Sequence, residues 1–386
     1  MASGGSAASA REAFSTRLVF LIVGFGTAAW APLVPFVKAR TGIDEGVLGL
    51  LLLCLGGGSI VTMPLAGALT SRFGCRRVIV TASLALCAML PVLAWASSLP
   101  VLVAALAFFG GAVGAIDVSG NIQAIMVERD SGRPLMSGFH GFYSLGGIAG
   151  AVGVTAFLGA GASPLIAALV VSALCLVLLA TAAPHLLTHG SHTEGPAFAL
   201  PRGVVWFLGL LCFILFLAEG SVLDWSALFL SQVRGMARSY AGLGYAAFAL
   251  TMTIGRLTGD RIVHRAGGGN VILFGGLCAA AGFALATLVG SWPVALIGYG
   301  LVGAGCSNIV PVLFTAAGRQ TAMPESVAVP AITTLGYAGI LIGPAAIGFI
   351  AHASSLPTAF LIVAALLVGV AASGRLLRSS ARRVSE

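Results

Sequence analysis

The chain has 386 residues; 58% are hydrophobic, only 8% are Asp, Glu, Lys or Arg, and the formal net charge is +8. A soluble domain carries roughly a quarter charged residues, so a soluble enzyme and a disordered chain are excluded, and the 20 basic residues are too thinly spread for a nucleic-acid binder. Twelve spans of roughly 20 apolar residues fit this length and leave short loops, which predicts an all-α polytopic membrane protein.

In chain order, residues 1–17 read as a cytoplasmic N-terminal tail rich in Ala, Ser and Gly. The first apolar run, 18–37, has the length of a full span rather than of a cleaved signal. Further runs lie at about 46–69, 78–97, 100–126, 136–159 and 164–183. The polar stretch 184–203 reads as a cytoplasmic linker. Six more runs follow at about 204–230, 240–262, 270–290, 293–317, 326–351 and 355–373, before a cytoplasmic tail at 374–386. The expected domains are a six-helix bundle over 18–183 and another over 204–373.

Orientation follows from the loop cations. Lys38, Arg40, Arg234 and Arg238 fall on one side, and the other sixteen, Arg256 among them, fall on the opposite side, which places both termini in the cytoplasm. This charge also attracts anionic lipid head groups without implying a specific partner. The seven cysteines show no CxxC spacing and no HExxH occurs, so disulfide and metal chemistry are not expected.

The halves repeat weakly. Gly67-Ala-Leu-Thr-Ser-Arg72 closes the second span and Gly255-Arg-Leu-Thr-Gly-Asp-Arg261 the eighth; Gly111-Ala-Val-Gly-Ala in the fourth span matches Gly300-Leu-Val-Gly-Ala in the tenth. Parallel repeats with a midplane site are a transporter architecture.

An ionisable side chain within a span is costly unless it meets a partner or a cavity, so Asp117, Glu219 and Asp224 are functional candidates. Gly110, Gly114, Asp117, Asn121 and Glu128 share one helical face, suited to a water-filled cavity or to a closely packed helix. Glu219 and Asp224 are about 140° apart on a regular helix and face one cavity only if Gly220-Ser221 breaks it. His140 could relay a proton or hydrogen-bond a substrate. Trp30, Tyr143, Trp225, Asn308 and Tyr337 are candidate cavity-lining residues, each set against a packing role. Gly110-x-x-x-Gly114, Gly146-x-x-x-Gly150 and Gly339-x-x-x-Gly343 bring helices into close contact.

The loop Gly67-x-x-x-Ser71-Arg72-x-Gly74-x-Arg76-Arg77 resembles the cytoplasmic signature of the major facilitator superfamily, with Ser71 where that signature has an acid; the second copy keeps Asp260-Arg261. Trp30-Ala-Pro-Leu-Val-Pro35, Asp117-Val-Ser-Gly-Asn121, His140-Gly-Phe-Tyr-Ser-Leu-Gly-Gly147 and Glu219-Gly-Ser-Val-Leu-Asp224-Trp225 resemble the fucose-permease-like branch, in particular the YbjJ-like bacterial inner-membrane proteins. The resemblance implies the twelve-helix major facilitator fold in two pseudo-repeats, proton coupling through an acid in span four, where Asp117 falls, and a cytoplasmic gate of Arg72, Arg76, Arg77, Asp260 and Arg261. The branch's sugar symporters also have an acid in span one, and this chain has none there.

Asp117, Asn121, His140, Glu219 and Asp224 are therefore the expected proton-coupling or substrate residues. The expected function is secondary active transport of a small polar metabolite, sugars included, in the inner membrane. It would run as a monomer on the proton gradient with no cofactor. The competing readings are a proton-driven exporter of metabolites or drugs and a non-transporting membrane sensor. No nucleophile–base pair supports an intramembrane enzyme, and no nucleotide-binding motif supports ATP as the driver.

Overall fold

The computed structural model describes residues 3–43, 45–190, 200–236, 240 and 242–383. Arg238 and residues 191–199 of the expected linker lie outside the described residues. Everything regular among the described residues is helical. The first half carries α1 (Ser3–Ala29), α2 (Val34–Thr41), α3 (Glu45–Phe73), α4 (Cys75–Trp95), α5 (Leu99–Ser131), α6 (Met136–Gly159) and α7 (Pro164–Ala182). The second carries α8 (Val204–Leu228), α9 (Leu243–Ala266), α10 (Gly268–Leu288), α11 (Trp292–Cys306), α12 (Ile309–Arg319), α13 (Glu325–Ala353) and α14 (Leu356–Arg383). Among the described residues, eleven helical segments are long and apolar enough to cross a membrane. Helix α9 completes the twelve; Arg256, Asp260, Arg261 and Arg265 lower its hydropathy.

Two expected spans are broken. The run 18–37 becomes α1 and α2, separated by a single 3-10 turn at Ala31–Leu33. Pro32 and Pro35 lack the N–H that a continuous helix would need, and each sits instead in the first turn of a new segment. The run 293–317 becomes α11 and α12, interrupted at Ser307-Asn308, again with a proline, Pro311, in the first turn after the break. At the N-terminus, helix extends through residues expected as tail. Ala13, Ser15 and Thr16 are buried, and Gln123 Nε2 donates to Thr16 Oγ1 at 2.9 Å.

The helices pack as two compact units. The first comprises Met1–Leu135, Phe142–Arg202 and Gly318–Thr334; the second comprises Met136–Gly141, Gly203–Ala317 and Leu335–Glu386. Within the first unit α3 and α5 approach so closely that a β-carbon on Gly110 would collide with the Leu55 carbonyl, while Ser59 Oγ donates to the Gly110 carbonyl at 2.7 Å. Gly146 and Gly150 of α6 lie against the backbone of Leu21 and Phe25 in α1. Arg40 closes the C-terminus of α4, donating to the carbonyls of Leu93, Ala94 and Ala96 at 2.7 to 3.2 Å.

The second unit repeats each device half a chain later. Thr251 Oγ1 of α9 donates to the Gly300 carbonyl of α11 at 2.8 Å, and Gly303 abuts the Phe248 carbonyl. Gly339 and Gly343 of α13 lie against Phe213 and Leu217 of α8. Arg234 donates to the carbonyls of Ala286 and Thr287 at the C-terminus of α10 and stacks on Phe229, 4.7 Å from its centroid. Small-residue contacts and carbonyl caps suit a bilayer, where water cannot satisfy exposed backbone groups and apolar burial alone does not drive helices together. Lys38, Arg40, Arg234 and Arg238 were counted together as the minor-side cations; two of these four are backbone caps.

Candidate functional site

In the first unit the polar centre lies on α5. Asn121 is fully buried, and its Nδ2 donates to both the Asp117 carbonyl and Asp117 Oδ1 at 2.9 Å. The bonds span one helical turn and hold the half-buried carboxylate in a fixed rotamer. Asn121 Oδ1 is buried without a hydrogen-bond partner, an acceptor left for a hydroxyl or a water. The rest of the expected α5 stripe divides by role. Gly110 and Gly114 face α3, so here close packing prevails over a cavity. Glu128 Oε2 accepts from the Leu135 N–H at 2.7 Å, just before the first turn of α6. Trp30 sits at the break after α1, 5% exposed, with its indole N–H unpartnered. Tyr143 is half-buried, and its carbonyl lies against Gly24 of α1.

In the second unit Glu219 of α8 pairs with Arg256 of α9, Nη2 to Oε2 at 3.8 Å; the side chains are 27% and 7% exposed. Arg256, grouped above with the basic loops, is thereby corrected to a buried residue inside a span. It lies about 15 Å from the end of α9, at 1.5 Å per residue, too deep for a loop cation. The first turns of α6 belong to this unit. His140 is 9% exposed, and its ring is 5.8 Å from that of Phe314. Asp260 Oδ1 accepts from the Gly138 N–H at 2.9 Å, placing a carboxylate at the positive end of α6. Asn308 occupies the α11–α12 break, and its Nδ2 donates to the Gly255 carbonyl and to Ser307 Oγ at 3.0 Å. Its Oδ1 is buried and unpartnered.

The distortion that would let Glu219 and Asp224 share a cavity does not occur at Gly220-Ser221. Helix α8 runs unbroken to Leu228, with Ser221 Oγ donating back to the Leu217 carbonyl at 2.6 Å. The one irregular turn is the π-helical Phe229–Val233, beyond both acids. Asp224 is exposed, on a different face from Glu219. Trp225 seats its ring against Gly348 of α13, 3.2 Å from where a β-carbon would stand. Tyr337 packs edge-on against Phe216 at 6.2 Å. Arg261, Arg72, Arg76 and Arg77 are exposed. Sequence reasoning omitted Arg256 because it stands inside the Gly255–Arg261 repeat; the signal that could have found it is its depth, ten residues from the end of its helix and preceded by an apolar run.

Long apolar helices, a repeated set of interhelical devices and ionisable side chains held inside spans define a polytopic membrane transport protein. The chain belongs to the Major Facilitator Superfamily, whose sequence profile matches residues 18–338. It is 56% identical over 362 residues to an uncharacterized MFS-type transporter of Yersinia pestis, covering 94% of each chain. Among solved structures it is similar to the E. coli fucose:proton symporter FucP, with a TM-score of 0.80 at 17% identity over 95% of this chain and 98% of that one. It is also similar to the human organic anion transporter MFSD10, with a TM-score of 0.75 at 17% identity over 94% of this chain and 98% of that one. These two structures share its fold. The chain is a multi-pass membrane transporter rather than an enzyme, with the lipid bilayer and a small-molecule substrate as its partners.

Proposed function

We propose that the protein is a proton-coupled secondary active transporter of a small polar metabolite, sugars included, working by alternating access in the bacterial inner membrane with both termini cytoplasmic. It functions as a monomer and needs no cofactor beyond the proton gradient. The observation that carries this reading is the Glu219–Arg256 pair, at 3.8 Å within a span. Protonating Glu219 removes its attraction for Arg256, so proton occupancy changes which arrangement of α8 and α9 is favoured. Asp117, fixed by Asn121, is the second protonatable group, and the open Asn121 Oδ1 and Asn308 Oδ1 supply acceptors for hydroxyl donors. His140, near Arg256, completes the polar set in the second unit. Asp260 on the Gly138 N–H is the gate contact of the second unit, next to Arg261 on α9; in the first unit Arg72, Arg76 and Arg77 flank the α3–α4 turn in the corresponding role.

The test is solid-supported-membrane current from proteoliposomes challenged with sugars, nucleosides, amino acids and organic anions at two pH values. A pH-dependent current for one class, lost in Glu219→Gln, supports the reading; a current identical at both pH values removes proton coupling. Everted vesicles then separate uptake from the second reading, proton-driven export. A buried arginine favours anionic cargo for that reading, and accumulation of organic anions in everted vesicles would establish it.

A further inference from the structure

The corner between α3 and α4 carries two adjoining pockets in the first unit. The first, about 890 Å³, is lined by Ser71, Arg72, Arg76, Arg77 and His189, with no acidic residue in its wall among the described residues. Among the described residues none of the three guanidiniums is in an ion pair; Arg72 only stacks on neighbouring Phe73, 5.2 Å from its centroid. The usual acid of this loop is replaced by Ser71, whose hydroxyl turns back to the Ala68 carbonyl at 3.0 Å. Gly74, at φ +83°, makes the tight turn that brings Arg72 and Arg76-Arg77 to one mouth. A residue with a β-carbon there would also collide with the Thr188 carbonyl.

The second pocket, about 780 Å³, is an apolar groove along α3, α4 and α5. Gly57, Val61, Leu69, Ala107 and Phe108 line it, and it shares Thr81 with the first. Val61 and Phe108 are 69% and 70% exposed, and the space beside Gly57 is open. A cationic mouth adjoining an apolar groove, on the exposed surface of helices long and apolar enough to span a membrane, matches one kind of molecule.

We propose that this corner is a binding site for one anionic phospholipid. Its phosphate sits on Arg72, Arg76 and Arg77, and an acyl chain lies in the Gly57–Phe108 groove. Arginine pairs with phosphate through two parallel N–H donors, and cations near a membrane surface attract anionic lipid. The uncompensated charge selects an anionic headgroup. The groove distinguishes a lipid from a free phosphate, which would use the mouth alone. The inference is independent of what is transported.

The test is native mass spectrometry of the delipidated full-length protein, titrated with phosphatidylglycerol, phosphatidylcholine or soluble glycerophosphoglycerol. One phosphatidylglycerol should be retained per chain, with phosphatidylcholine at least tenfold weaker. Each arginine-to-glutamine change should weaken retention about fivefold. Ser71→Asp should do so with every arginine in place, which keeps the test open if an arginine variant fails to fold. Gly57→Leu, which fills open space, should weaken phosphatidylglycerol but not glycerophosphoglycerol. Equal retention of both lipids, or no effect of Ser71→Asp in a folded protein, overturns the proposal. So does soluble headgroup binding as tightly as the lipid with Gly57→Leu silent, which would make this a pocket for free anions.

Discussion

Arg256 is a buried cation inside a span of the second unit. It is 7% exposed, and it forms an ion pair with the half-buried Glu219. Removing one partner of a buried ion pair costs about 3–5 kcal/mol, because the other charge is left uncompensated, whereas removing both can be nearly neutral. Glu219→Gln should therefore lower the thermal midpoint of the purified protein and abolish pH-driven accumulation. Glu219→Gln/Arg256→Gln should recover the midpoint but not the accumulation. A single variant as stable as the parent would show the pair to be incidental. Asp224 is exposed, so Asp224→Asn should leave the midpoint unchanged and lower accumulation less than Asp117→Asn does; uptake of radiolabelled substrate checks the order. The candidate acids were legible in the sequence because charge is conspicuous in an apolar run. Of their partners only the local one, Asn121, was. The bond from Asn121 to Asp117 spans four residues, but Arg256 lies 37 residues beyond Glu219 and meets it only through the packing of α8 on α9.

At the scale of elements, hydrophobic run length located the spans well, because crossing a bilayer imposes a length on every helix. It did not locate the breaks at Ala31–Leu33 and Ser307-Asn308, since apolar composition continues across both while the backbone does not. The glycine faces were legible as close contacts, but not which helix each one meets. The structure sets Gly110 on the backbone of α3 and leaves Gly57 against open space. Gly110→Ala should therefore destabilise the protein by about 1–3 kcal/mol, the usual cost of overpacking. Gly57→Ala should be neutral or stabilising by up to about 1 kcal/mol, since alanine favours helix over glycine. Unfolding in a mild denaturing detergent compares the two, and equal losses would mean that the α3–α5 contact is not tight.

For the whole molecule, the weak sequence repeat corresponds to a strong structural one. Only scattered glycines and one basic loop match between the halves, yet Ser59 and Thr251, Gly146 and Gly339, and Arg40 and Arg234 perform matching tasks within their own units. Sequence comparison undervalues such pairs because serine can replace threonine, and an arginine cap can shift by a residue, without changing the bond. The caps should matter equally in the two units: Arg40→Met and Arg234→Met should each lower the thermal midpoint by several degrees. If one lowers it and the other does not, the two caps are not equivalent.

The caps also bear on the order in which the chain is built. Arg40 waits for carbonyls 53 to 56 residues downstream, and Arg234 for carbonyls 52 or 53 residues downstream. Each is closed as soon as the third span of its own half has crossed, and neither needs anything from the other half. During synthesis the first clasp can shut while the second half is still unmade, so a ribosome paused after α5 would already hold a fastened piece of the final protein.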